Sequence, residues 1–163
     1  DGCIVGMHDA GWKCITAFDY SPEGVALARE LLGESRLQNT TTVEGGGSVN
    51  VDVADARSLP YSNDTFDAVF DKGTLDVVFL SGGQNRETRL SQLSLAVKEL
   101  ARVVRPSGIV MSITAIATDE IDEAFNEDKA CWRQIRDGKS IYITEDGYTS
   151  NNVDATILAW ERL

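Results

Sequence analysis

Apolar runs of five or six residues alternate along this chain with stretches in which apolar residues recur every three or four positions. "CITAF" (14–18) predicts a short buried strand ending at Asp19-Tyr20. Ser21 then caps a helix with Pro22 in its first turn, "EGVALARELL" continues it, and Gly33 closes it. "VNVDVADA" alternates as a strand and leads into the turn "RSLPYSND". "FDAVFDKGTLDVVF" (66–79) reads as a buried strand that halts at Asp71, Lys72 and Gly73, after which Leu75 and Val77 to Leu80 return to the core. Leu90, Leu93, Val97, Leu100 and Val104 form one helical stripe, ended by "RPSG". "IVMSIT" predicts a buried strand, and a helix from Thr118 or Asp119 runs through Phe125 and Trp132. "SIYIT" and "DATILAWERL" predict a hairpin around the polar "EDGYTSNN". Strands separated by helices, then an antiparallel pair, define the α/β class: a Rossmann-like, mostly parallel sheet with an antiparallel C-terminal strand pair.

Composition narrows the partners. The chain has 163 residues, 42% hydrophobic and 25% charged, enough for a sizeable core in one soluble domain. Its longest apolar runs fall far short of the roughly 20 residues a membrane-spanning helix needs. A formal charge of -11 repels phosphate backbones, which disfavours nucleic acid and leaves a small molecule or a basic protein. Cys3, Cys14 and Cys131 show no CxxC spacing, so neither a disulfide framework nor a metal site is expected; they read as reduced thiols. His8, the one histidine, reads as a surface or helix-face residue. "NTTTVEGGGSVN" (39–50) reads as a surface loop.

In open α/β sheets ligands bind outside the carboxyl ends of the strands, and three acids stand there: Asp19, Asp55 and Asp71. Asp19 suits a ribose diol, with Tyr20 placed against a base; the plainer alternative is a turn residue before Ser21-Pro22. Asp55 and Ala56 suit an adenine edge. Asp71-Lys72 reads either as a site or as a solvated pair in a loop. The acidic stretch "TDEIDEAFNEDKACW" reads either as a face for a basic protein or as an ordinary solvated helix face.

The stretches "FDYSPEGVALARELL", "VDVADARSLPYSNDTFDAVFDKGTLDVVF" and "VKELARVVRPSGIVMSITA" together resemble the class I S-adenosylmethionine-dependent methyltransferases. Within that class the likeness is to the lysine methyltransferase-like branch, which includes enzymes acting on elongation factor 1-alpha and on citrate synthase. The resemblance implies S-adenosyl-L-methionine as cofactor, with Asp19 on the ribose and Asp55 and Ala56 on the adenine. It also implies that Asp71, Lys72, Gly73 and Thr74 line the methyl-transfer end, Asp71 being the first choice for guiding the acceptor amine.

The family's first strand and its G-x-G loop are not found. "DGCIVGMHDAGW" reads instead as the tail of that loop and the helix after it, with Gly2 standing 17 positions before Asp19. The expectation is therefore one methyltransferase domain over residues 1–163, incomplete at its N-terminus, that methylates a protein lysine in the cytoplasm or, alternatively, in mitochondria. Two other readings stand beside it: an inactive methyltransferase-like subunit of a larger complex, and a methyltransferase of small molecules.

Overall fold

The computed structural model describes residues 2–12, 14–37, 48–141, 144–145, 148–149 and 155–163. The chain forms two compact units, residues 1–55 and 56–163.

In the first unit the order is α1 (Gly2–Asp9), β1 (Cys14–Asp19), α2 (Pro22–Leu32), α3 (Glu34–Leu37) and β2 (Ser48–Val53). β1 and β2 pair in parallel, from Cys14 opposite Ser48 to Asp19 opposite Val53. α2 starts and stops where its sequence says it should. The Ser21 hydroxyl accepts the Gly24 N–H at 3.1 Å, Pro22 occupies the first turn, and the Gly33 N–H donates to the Arg29 carbonyl at 3.1 Å. Val25 and Leu32 of α2 bury against Val49 and Val51 of β2, with Ile4, Val5, Ile15, Ala17, Ala28 and Leu37 around them. Each fully buried aliphatic side chain contributes about 1.5–3 kcal/mol. Arg29 adds a polar tie, donating to the Val51 carbonyl at 2.6 Å. β2 begins at Ser48, inside the segment expected to be a loop; residues 39–47 lie outside the described residues.

The second unit continues with β3 (Phe66–Lys72), α4 (Thr74–Leu80), α5 (Arg86–Val103), β4 (Val104–Thr114), α6 (Thr118–Glu127) and β5 (Trp132–Ile141). Short β6 (Thr144–Glu145) and β7 (Tyr148–Thr149) pair with each other, and β8 (Ala155–Arg162) is last. The main sheet has the order β3-β4-β8-β5, with β3 and β4 parallel and β8 antiparallel to both its neighbours. Buried Val110, Ser112 and Thr114 alternate along β4 with outward Ile109 and Met111. Phe125 of α6 stacks on Trp160 of β8 at 3.8 Å between ring centroids and meets Trp132 edge-on at 5.0 Å. Leu93, Val97 and Leu100 of α5 are buried, as the stripe required.

Three expectations are corrected here. The apolar stretch after Gly73 is the helix α4, which buries Leu75, Val78 and Phe79 but leaves Val77 and Leu80 exposed. α5 stops at Val103, just ahead of "RPSG" as expected, but "RPSG" is no turn before the next strand: it lies within β4, where the β3–β4 register slips between Phe66 and Ala68 and Ser107 takes φ 65. Such a bulge is where a sheet tolerates proline. Trp132 does not prolong α6, which stops at Glu127; it opens β5, so the antiparallel partner of β8 begins eight residues earlier than "SIYIT" indicates. Of that predicted hairpin, residues 142–143, 146–147 and 150–154 lie outside the described residues.

Candidate functional site

In the first unit, the parallel pairing sets the carboxyl ends of β1 and β2 side by side. The Ala54 N–H donates to the Asp19 carbonyl at 3.0 Å, so Asp55 follows directly beside the end of β1. Asp19 is exposed, and its Oδ1 accepts the Ser21 N–H at 2.8 Å, which aims the carboxylate beside the start of α2. Gly24 backs onto it: a Cβ there would lie 2.9 Å from Asp19 Cγ and 3.0 Å from Oδ2. Tyr20 is 72% exposed. An exposed carboxylate beside an exposed phenol ring fits a ribose diol and a flat base, the two nucleoside parts of S-adenosylmethionine. Gly2, placed at the cofactor by the sequence, is the first residue of α1.

In the second unit, Ala56 begins a segment held to α5. Glu99 accepts the Leu59 N–H at 2.7 Å, and the Arg102 guanidinium donates to the carbonyls of Leu59 (2.9 Å) and Tyr61 (2.6 Å) and to Glu99 itself. The hydrogen bond from Arg102 holds the Glu99 carboxyl below the usual range.

Asp71 ends β3 and is buried. Its Oδ1 accepts the N–H groups of Thr74 (2.9 Å) and Leu75 (3.3 Å), and its Oδ2 accepts the Ser112 hydroxyl at 2.6 Å. Burial pushes this carboxyl above the ordinary range, and these hydrogen bonds pull the other way. Both oxygens are thus committed to the start of α4 and to β4, which makes Asp71 an anchor of the strand end. Gly73 takes φ +80, a left-handed turn that glycine adopts without strain, and its N–H donates to Ile113 at 3.1 Å. Lys72 and Thr74 are exposed at this edge.

One buried acid went unnoticed in the sequence. Asp76 accepts three donors: the Thr114 hydroxyl (2.5 Å) and Ala117 N–H (3.0 Å) on Oδ1, and the Ala115 N–H (3.0 Å) on Oδ2. A charge in the middle of "TLDVVF", on the face that carries Leu75 and Phe79, was the available signal.

The acids of α6 are largely turned to the chain's own residues. Glu120 and Glu123 face Arg86, Asp122 accepts from Gln134, and Glu127 accepts from Ser94. Asp128 beside Cys131 holds that thiol above its usual range, so it is a poor nucleophile. His8 pairs with Asp9 on the surface of α1. A cavity of about 210 Å³ between α5, α6 and the start of β5 includes Lys98, Glu127 and Trp132 and none of the strand-end residues. Among the described residues no cluster of three potential metal ligands occurs, and no helix is long and apolar enough to cross a membrane.

Residues 2–112 match the methyltransferase domain family, and the chain belongs to it. It is similar to EEF1A lysine methyltransferase 2 of Homo sapiens, 24% identical over 154 residues, which covers 94% of this chain and 59% of that protein. It is also similar to EEF1A lysine methyltransferase 4 of Bos taurus, 31% identical over 111 residues, covering 66% of this chain and 39% of that protein. The chain therefore spans less than two thirds of the length of either relative. Among solved structures, a SAM-dependent methyltransferase from Methanosarcina mazei superposes with a TM-score of 0.68 over 98% of this chain and 86% of that one; at 13% identity the shared property is the fold. The Rossmann-like α/β class expected from the alternation of elements is the class observed.

Proposed function

We propose that this protein transfers the methyl group of S-adenosyl-L-methionine to a lysine side chain of a protein. The observation that carries the reading is the pair of acids, Asp19 and Asp55, at adjacent carboxyl ends of a parallel strand pair in a methyltransferase-family chain. Asp19 would accept the ribose hydroxyls, Tyr20 would lie against the adenine, and Asp55 with the Ala56 amide would meet the adenine edge. The cofactor, when bound, supplies a sulfonium whose methyl is already activated. What remains for the protein is alignment of the acceptor nitrogen and exclusion of water. Asp71 fixes the turn at Gly73-Thr74, and in this reading it would thereby hold Lys72 and Thr74 for the acceptor. The lysine acceptor is supported by the two relatives, both named for lysines of EEF1A. Three thiols outside any disulfide suit a reducing compartment such as the cytoplasm.

The test is incubation of the intact protein with purified elongation factor 1-alpha and isotope-labelled S-adenosylmethionine, with the modified residue mapped by mass spectrometry. Label on a lysine, lost when that lysine is changed to arginine, supports the reading. Label on small molecules alone, or cofactor binding without transfer to any acceptor, moves the assignment to the small-molecule or inactive-subunit readings.

A further inference from the structure

The mechanism above leaves one buried charge without a task. Asp76 is 5% exposed and lies on α4, five residues after Asp71. Burying a carboxylate costs several kcal/mol unless it is fully hydrogen-bonded. Here the three donors all belong to the end of β4 and the turn just beyond it: Thr114, Ala115 and Ala117. The residue enclosed by those anchors, Ile116, has no such tie and stands 61% exposed. Its own neighbours in the turn are alanines, so it is the one large side chain there.

An asparagine could not replace Asp76. With its oxygen facing Thr114 and Ala117, its amide nitrogen would confront the Ala115 N–H, donor against donor. The sequence thus places an acid where only an acid satisfies the turn, and the turn fixes an exposed apolar residue at the carboxyl end of β4. β4 is the parallel neighbour of β3, whose own carboxyl end carries Asp71 and Lys72. Ligands of such sheets sit outside these ends.

We infer that Ile116 is a specificity-determining residue that packs against the alkyl stem of the acceptor lysine, and that Asp76 is the positioning residue that holds it there. The inference rests on the protein-lysine reading. It adds to that reading an apolar contact for the four methylenes of the acceptor. The contact favours an extended lysine chain over a short or branched polar acceptor.

The experiment measures steady-state methylation of elongation factor 1-alpha, together with calorimetric S-adenosylhomocysteine binding, for wild type and for Ile116→Ser, Ile116→Leu and Asp76→Asn. Removing the apolar contact should raise KM for the acceptor about tenfold, with kcat changed by no more than about twofold and S-adenosylhomocysteine affinity unchanged. Ile116→Leu should restore KM. Asp76→Asn should reproduce the KM rise while cofactor affinity holds, a split that general loss of folded protein would not produce. If Asp76→Asn fails to fold, the Ile116 pair still decides, because that side chain is exposed. A wild-type KM in Ile116→Ser overturns the inference and leaves the lysine reading standing. A wild type that binds S-adenosylhomocysteine but labels no lysine overturns the reading and the inference with it.

Discussion

The Ser112 hydroxyl donates to Oδ2 of Asp71 at 2.6 Å, joining the ends of two parallel strands through a buried acid. That contact separates Asp71 from Asp76 in a way substitution can read. At Asp71 the two N–H donors share one oxygen, and the other oxygen meets a hydroxyl, which can reverse its role and accept.

Asp71→Asn should accordingly be tolerated, with its oxygen toward Thr74 and Leu75 and its amide donating to Ser112. The expected stability change at neutral pH is within about 0.5 kcal/mol, or a small gain, in urea unfolding. Asp76→Asn creates a donor–donor conflict and should cost about 1–3 kcal/mol in the same measurement.

Asp71 also makes a pH prediction. Its folded pKa lies above its unfolded value, so the native state holds that proton more tightly. The stability it contributes is fully present below the unfolded pKa of about 4 and is lost as pH rises through the raised folded value. The stability of wild type relative to Asp71→Asn should therefore fall as pH rises across that window, then level off. Parallel curves for the two proteins would contradict the assignment.

Gly24 ties a helix to the candidate ribose site. A methyl group there meets the Asp19 carboxylate at 2.9–3.1 Å, while alanine is the better helix former by about 1 kcal/mol. Gly24→Ala should leave the melting temperature equal or higher and weaken S-adenosylhomocysteine binding several-fold, since the carboxylate must move. Calorimetry and thermal melts on one sample check both halves.

The Arg102–Glu99 pair predicts a local effect. Arg102→Met removes the donors to Leu59 and Tyr61 and should cost about 1–2 kcal/mol, with hydrogen exchange rising first in residues 59–65. The Glu99 carboxyl is depressed when folded, so its contribution is present above its unfolded pKa and is lost as pH falls through the folded value.

Local chemistry made some of this legible in the sequence. Ser21, Pro22 and Gly33 announce α2 because each satisfies a helix end by itself, and the stripe on α5 is long enough to be unambiguous. Asp19, Asp55 and Asp71 were found because strand ends are visible as the places where apolar runs stop. The errors share a cause, since each depended on a partner distant in sequence. Trp132 falls seven residues after Phe125, in phase with the helix, yet it is drawn into β5 by pairing with β8 and by the edge contact with Phe125. "RPSG" looks like a turn until β4 takes it up as a bulge opposite Phe66 to Ala68 of β3. Only Ser112, 41 residues away, shows that Asp71 is also an anchor of the strand end. Asp76 was hidden for the same reason, its partners lying 38 to 41 residues on.

The central claim is that Asp19 holds the ribose of a bound S-adenosyl cofactor, and titration calorimetry of S-adenosylhomocysteine against the intact protein and Asp19→Ala tests it most directly. The account predicts micromolar binding by wild type and a loss of about a hundredfold in the variant, the worth of two charge-assisted hydrogen bonds. Equal affinities in the two proteins, or no heat from a wild type shown to be folded, would contradict it.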